Sequence, residues 1–193
     1  HYCMDGNHFV WSFDTDGVLN DYPAVWLEFI AKQTRKNFPS VDAAKATLQE
    51  EYDQLKHEYR LSDFKYSVPI NPEARETIST LKGRGDVVYI STSRPLSDYP
   101  RMRRRSMEWL QNGGIEFDGF LPKEAKSLKE NQCMVHVDDD PEAIRHLTGE
   151  GMQCILYQRI PSSPLSFPEI QVIKDLRELF REEMFNRYFQ SRM

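Results

Sequence analysis

The chain has 193 residues, 39% of them hydrophobic and 28% charged, with a formal net charge of −5 at pH 7. That is enough for one α/β core with an insertion and short for two full domains, and the acidic balance argues against a nucleic-acid polymer as partner. No apolar stretch approaches the roughly 20 residues that span a bilayer, and the amino terminus lacks the basic and apolar regions of a signal peptide.

The first predicted element is a strand in the apolar run Phe9-Val10-Trp11, leading into Phe13-Asp14-Thr15-Asp16-Gly17-Val18-Leu19-Asn20-Asp21. Strand residues two apart share a face. A strand ending at Asp14 would put Asp14 and Asp16 at its carboxyl end, where ligands bind in open α/β sheets; an ordinary Asp-Gly turn is the alternative. Asn20 or Asp21 is expected to cap a helix with Pro23 in its first turn and Tyr22, Val25, Trp26, Phe29 and Ile30 on its apolar face. From Ser40 onward, Val41, Ala44, Leu48, Tyr52, Leu55 and Tyr59 keep steps of three and four, predicting one amphipathic helix of about five turns. Residues 22–67 therefore read as a helical insertion between core segments 1–21 and 68–193, closed by the turn-rich stretch Ser67-Val68-Pro69-Ile70-Asn71-Pro72.

Glu73 to Lys82 is a predicted helix, stopped by Gly83 and Gly85, and the strand at 86–91 then runs into Thr92-Ser93-Arg94-Pro95. Arg101 to Asn112 is a further helix, stopped by Gly113-Gly114. Its Arg101, Arg103, Arg104 and Arg105 read chiefly as a solvated face, with attraction of an anionic substrate as the other reading. A short helix near 123–131, a strand at 133–137 entering Asp138-Asp139-Asp140-Pro141, a helix at 141–149 and a strand at 152–157 follow. Pro161 to Pro168 is a predicted loop, and Ile173, Leu176, Phe180, Met184 and Tyr188 mark a closing helix. Alternating strands and helices favour a three-layer, Rossmann-like parallel sheet with right-handed crossovers. Cys3, Cys133 and Cys154 form no Cys-x-x-Cys pair and the histidines are scattered, so neither a disulfide framework nor a zinc site is indicated and a reducing, cytoplasmic setting is expected.

Three predicted strands thus end in polar groups. With Lys123, Lys126 and Lys129 between the second and third, the order Asp-x-Asp, Thr, Lys, Asp-Asp resembles the haloacid dehalogenase superfamily of phosphoryl-transfer enzymes over residues 9–157. Val18 departs from the Thr that many members carry. The resemblance implies a HAD-like core with the 22–67 insertion as a small helical cap over the active site. It implies Asp14 as the nucleophile that forms an aspartyl-phosphate, and Asp16 as the acid and base, provided its surroundings raise its pKa enough to hold a proton. It maps Mg2+ to Asp14, the main-chain oxygen of Asp16, and Asp139, with Asp138 as a direct or water-mediated partner. Asp140 is assigned to capping the helix that Pro141 opens.

Thr92 offers a hydroxyl to a phosphoryl oxygen, with Ser93 and Arg94 adding an amide or a guanidinium; a surface ion pair is the other reading of Arg94. Lys126 matches the family's lysine better than Lys123. The Asp-Gly-Val-Leu motif, Thr-Ser after the second strand and the short cap look like the deoxyribonucleotidase-like branch, which implies a 5′-nucleotidase acting on nucleoside monophosphates. Trp26, ahead of Phe29, Tyr52 and Tyr59, is the candidate for stacking a base, although aromatics at helical spacing also build cores. A phosphatase of another small phosphorylated metabolite is the nearest alternative, and a catalytically idle binding domain is the alternative of another class. A small phosphorylated substrate is the expected partner, no membrane is expected, and a homodimer is allowed.

Overall fold

The computed structural model describes residues 8–159 and 170–180. Six parallel strands form one sheet: β1 (Val10–Asp14), β2 (Val87–Thr92), β3 (Gly119–Pro122), β4 (Val135–Asp138), β5 (Gln153–Tyr157) and β6 (Gln171–Ile173), in the order β3-β2-β1-β4-β5-β6. The chain builds outward from β1 to β3, then returns to place β4 on the other side of β1. The crevice between β1 and β4 is therefore the point where strand order reverses, the usual ligand position in such sheets. Phe13 lies opposite Val137 and Asp14 opposite Ser91, which brings the carboxyl ends of β1, β2 and β4 level.

Both faces of the sheet are covered. One apolar layer joins Trp11, Phe13, Ile78, Leu81, Ile90 and Leu110; another joins Leu128, Ile144, Leu147 and Leu156. At the amino end of the sheet, the buried Asp86 carboxylate accepts from the Phe9 amide at 3.2 Å and the Trp11 indole at 2.8 Å. These bonds pin β1 against β2 at the end opposite the crevice, so the register that aligns the polar strand ends is held from behind.

Between β1 and α4 (Pro72–Gly83) lie α1 (Ala24–Thr34), α2 (Val41–Leu48), α3 (Glu50–Leu61) and a 3-10 turn at Phe64–Tyr66. This segment, called the cap below, has an apolar cluster of its own, with Trp26, Phe29, Ile30, Ala44, Leu48, Tyr52, Leu55 and Tyr59 buried together. The single helix expected from Ser40 to Tyr59 is two helices. Ser40 caps α2 by accepting from the Ala43 amide at 3.1 Å, and Gln49 (φ 52°) breaks the rod in the left-handed region. The apolar period survives the break because α2 packs against α3 and shares one core with it.

The expected cap of α1 also differs: Asn20 accepts from the Gly17 and Tyr22 amides, both at 3.1 Å, and so ties the turn after β1 instead of capping the helix. α5 (Pro100–Asn112), α6 (Ala125–Glu130) and α7 (Pro141–Gly149) follow the predicted pattern, and Asp140 caps α7 through the Glu142 amide at 3.0 Å.

β3 was not anticipated. It is four residues long and ends in proline, which the edge of a sheet tolerates because no outer strand needs the missing N–H. Ile173 closes strand β6, and Leu176–Phe180 is a 3-10 turn in place of the start of a closing helix. Met184, Tyr188 and the Pro161–Pro168 loop lie outside the described residues. Among the described residues, no helix is long and apolar enough to cross a membrane.

Candidate active site

β1 and β4 deliver Asp14 and Asp138 side by side, and Asp139 joins them from the first residue beyond β4; carboxylate oxygens of all three lie within 4.8 Å of one another. Lys123 stands between the two strand-end acids, its Nζ 3.2 Å from Asp14 and 3.1 Å from Asp138. It follows β3 directly, and its backbone N–H donates to Thr92 O at 2.8 Å, so the unanticipated strand is what aims it. Lys126, expected in this place, lies exposed on α6. A short apolar run Gly-Phe-Leu-Pro stopping at Lys123 was the available signal, and it was missed because four residues ending in proline make a weak strand pattern.

Asp138 is enclosed. His136 Nε2 lies 2.7 Å from one of its oxygens, the Asp140 amide donates to the other at 3.0 Å, and His136 Nδ1 lies 2.9 Å from Ser12 Oγ, which in turn donates to Ser91 Oγ at 2.9 Å. This buried chain crosses β4, β1 and β2. No sequence pattern announced His136, a lone histidine in an apolar strand. Burial raises the Asp138 pKa, but the His136 hydrogen bond and charge, with Lys123, outweigh it and hold the carboxyl down at about 2. Asp14 goes the other way: burial first, then the Asp138 charge, push it well above the ordinary carboxylate range against the pull of Lys123. Burial and Asp138 push Asp139 up to about 7. At Asp14 and Asp139, burial and the Asp138 charge together outweigh what the one lysine offsets.

Asp16 does not share a face with Asp14. β1 stops at Asp14, and the chain turns through Thr15–Gly17, with Leu19 N–H bonded to Thr15 O at 2.9 Å and Gly17 at φ 91°. The period-two argument needs an extended chain, so it lapses there. The Asp16 carboxylate faces Arg94, which grips it at 2.8 Å and 2.7 Å, and Asn20, at 3.0 Å. Burial works to raise its pKa, but the Arg94 charge and hydrogen bonds prevail and hold it at about 2. The raised pKa that acid catalysis needs is absent in this arrangement.

Arg94 is neither a surface ion pair nor a free phosphate ligand. Its side chain is 7% exposed, binds Ser106 Oγ at 2.9 Å as well as Asp16, and lies between the rings of Tyr66 and Trp109. Thr92 is buried at the end of β2, and its Oγ accepts from the Arg94 amide at 3.0 Å, leaving the hydroxyl proton to donate. Ser93 is exposed at the rim. Trp26 is fully buried in the cap, its indole donating to Tyr52 Oη at 3.0 Å, and it belongs to the core reading of that residue. Asp14, Asp16, Ser93, Arg94, Lys123 and Asp139 line one cleft of about 850 Å3 with Tyr22 and Tyr59 of the cap.

The donor set suits a small hard cation: oxygen ligands only, from converging acids whose mutual repulsion a divalent ion would relieve. Gly17 supports the same conclusion. A Cβ there would overlap the Asp139 carboxylate, so the residue in the turn after β1 leaves room for the acid beyond β4. Asp14, Asp138 and Asp139 form the side-chain cluster, and the Asp16 carboxylate is turned away from it.

Structural comparison identifies the fold. The chain superposes on the magnesium-bound YfnB protein of Bacillus subtilis with a TM-score of 0.64, at 13% identity over 90% of this chain and 97% of that one. The fold is that of the haloacid dehalogenase-like hydrolases. CbbY of Rhodobacter sphaeroides in complex with phosphate superposes with a TM-score of 0.61 (13% identity, 92% and 98% of the chains), and a 2-haloacid dehalogenase of Pseudomonas syringae pv. Tomato with 0.51 (17% identity, 94% and 99%). No family model and no curated protein sequence matches the chain.

Proposed function

We propose that the protein is a Mg2+-dependent phosphomonoesterase working through an aspartyl-phosphate on Asp14. The observation that carries this reading is the convergence of Asp14, Asp138 and Asp139 with Lys123 at the reversal point of the sheet. A dehalogenase needs a carboxylate nucleophile but not a cluster of acids, whereas attack on a phosphate ester demands neutralisation of the phosphoryl oxygens. Mg2+ held by Asp14, Asp138 and Asp139 would supply that neutralising charge.

Asp14 Oδ attacks phosphorus and the ester oxygen leaves, taking a proton from Asp16; water then attacks the aspartyl-phosphate, gives its proton to Asp16, and phosphate departs. Lys123 and the Thr92 hydroxyl hold the phosphoryl oxygens during both steps. Acting as the acid requires Asp16 to leave Arg94, since a carboxylate gripped at both oxygens has no proton to give. The substrate is a small phosphorylated molecule. The finer reading, a 5′-nucleotidase, rests on Tyr22, a half-buried aromatic residue on the cleft, now that Trp26 and Tyr59 belong to the cap core.

The test is a panel of nucleoside monophosphates, sugar phosphates and 2-chloropropionate, reading released phosphate and chloride with Mg2+ and with EDTA. Phosphate release abolished by EDTA is the expected result. Chloride release without phosphate release overturns the reading.

A further inference from the structure

Facing the acids across the cleft are four cations of the cap: Lys45 on α2, Lys56 and Arg60 on α3, and Lys65 in the 3-10 turn. Nearby cations are paired, Arg94 with Asp16 and Arg105 with Asp63. Among the described residues, none of these four forms an ion pair. Lys65 is 3% exposed and its close neighbours are the rings of Tyr59 and Tyr66, 4.9 Å and 5.8 Å from Nζ. Lys56 donates to the Tyr22 hydroxyl at 2.9 Å and stands 4.4 Å over Trp26. Burying an ammonium without an anion is costly, and aromatic faces return only part of the lost hydration. Burial, then the neighbouring Arg94, lowers Lys65 to about 7, and burial with Arg60 lowers Lys56 to about 8, in both cases against the pull of the Asp16 carboxylate, which Arg94 already holds. Asp42 and Glu142 also line the cleft, and neither is paired with the four.

We infer that this cluster is a second anion subsite: the substrate carries, besides the ester presented to Asp14, a second phosphate held by Lys56, Arg60 and Lys65. This rests on the phosphomonoesterase reading and adds the substrate class to it. Two ammonium groups and a guanidinium offer more N–H donors than the two oxygens of a carboxylate accept, and they match the three oxygens and double charge of a phosphate. A cleft of about 850 Å3 has room for a small molecule with a phosphate at either end. The phenols of Tyr22 and Tyr59 supply further hydroxyls along its wall.

The test compares kcat/KM, with Mg2+ present, for fructose 1,6-bisphosphate against fructose 6-phosphate and for adenosine 3′,5′-bisphosphate against adenosine 5′-monophosphate. At least one bisphosphate is expected to exceed its monophosphate by about tenfold or more, and Lys65→Met and Arg60→Gln each to reduce that ratio towards one, while Lys65→Arg keeps most of it. Arg60, partly exposed on α3, covers the case in which Lys65→Met fails to fold. Calorimetric binding of the same bisphosphates to the Asp14→Asn protein, with and without Arg60→Gln, separates the two readings. Binding weakened tenfold by Arg60→Gln, together with a native protein that hydrolyses no ester with Mg2+ present, would sustain the subsite and end the phosphatase reading. Hydrolysis of monophosphates and bisphosphates with equal kcat/KM would overturn the subsite and leave the phosphatase standing. A preference for 3-phosphoglycerate over both bisphosphates would overturn the assignment of the second group as phosphate.

Discussion

On the sheet side of the cleft, Asp14, Asp16 and Asp138 are each held by a cation of the core, Lys123 or Arg94, placed by the end of a strand or the residues just beyond it. On the cap side, Lys45, Lys56, Arg60 and Lys65 project from helices and a turn, and rings or a phenol are their neighbours. Strand ends locked by parallel hydrogen bonding give the precision that bond-making requires. On the proposed reading, cations that form no ion pair give attraction for an anionic ligand, and the two walls divide the work into chemistry and selection.

Asp14→Asn is the sharpest way to break that division. It should lower kcat by about 10^4-fold or more, as loss of a nucleophile does elsewhere, with far-UV circular dichroism unchanged and bisphosphate binding retained. Near-normal turnover in this variant would remove the sheet side from the chemistry altogether. Next, Lys123→Ala should cost about 10^2- to 10^3-fold in kcat, the scale of losing one preorganised electrostatic group. Lys126→Ala should change kcat by less than about twofold, because that side chain is exposed on α6. Steady-state kinetics on one substrate decides the pair, and the reverse order would mean that Lys123 only balances buried charge.

The smallest expected effect is on the cap. Trp26→Leu should lower stability by about 2 kcal/mol through lost packing, seen in a thermal melt, and should change kcat/KM for nucleoside and sugar phosphates by the same factor. A selective loss on nucleotides would restore Trp26 to the ligand and blur the line between the cap's core and its cleft face.

How legible each part was follows from the length of the pattern that encodes it. β1, β2 and β4 announce themselves through β-rich runs that end in polar residues, β5 through its β-rich run alone, and the acids at the ends of β1 and β4 are legible in the chain because strand ends in a parallel sheet converge by construction. Lys123 escaped because its strand has four residues and terminates in proline. The Asp16–Arg94 pair escaped for another reason. It joins residues 78 apart, and nothing local distinguishes an arginine that binds a ligand from one that clamps an acid. Trp26 and Tyr59 lie at a helical period that suits a core and a binding face alike, and only their burial in the structure assigns both to the core.

The break at Gln49 has a consequence for shape. In one unbroken helix Lys45 and Lys56 would lie about 16 Å apart along the axis, two posts on a straight rail. Folded back at Gln49, α2 rests against α3, Lys45 Nζ stands 5.5 Å over the Tyr52 ring, and its charge is felt at Lys56. The cap is thereby a cupped palm instead of a rod, its positive potential gathered over a single spot above the strand ends. A substitution restoring ordinary helical backbone at position 49 would open the palm, dispersing that potential without altering a single charged residue.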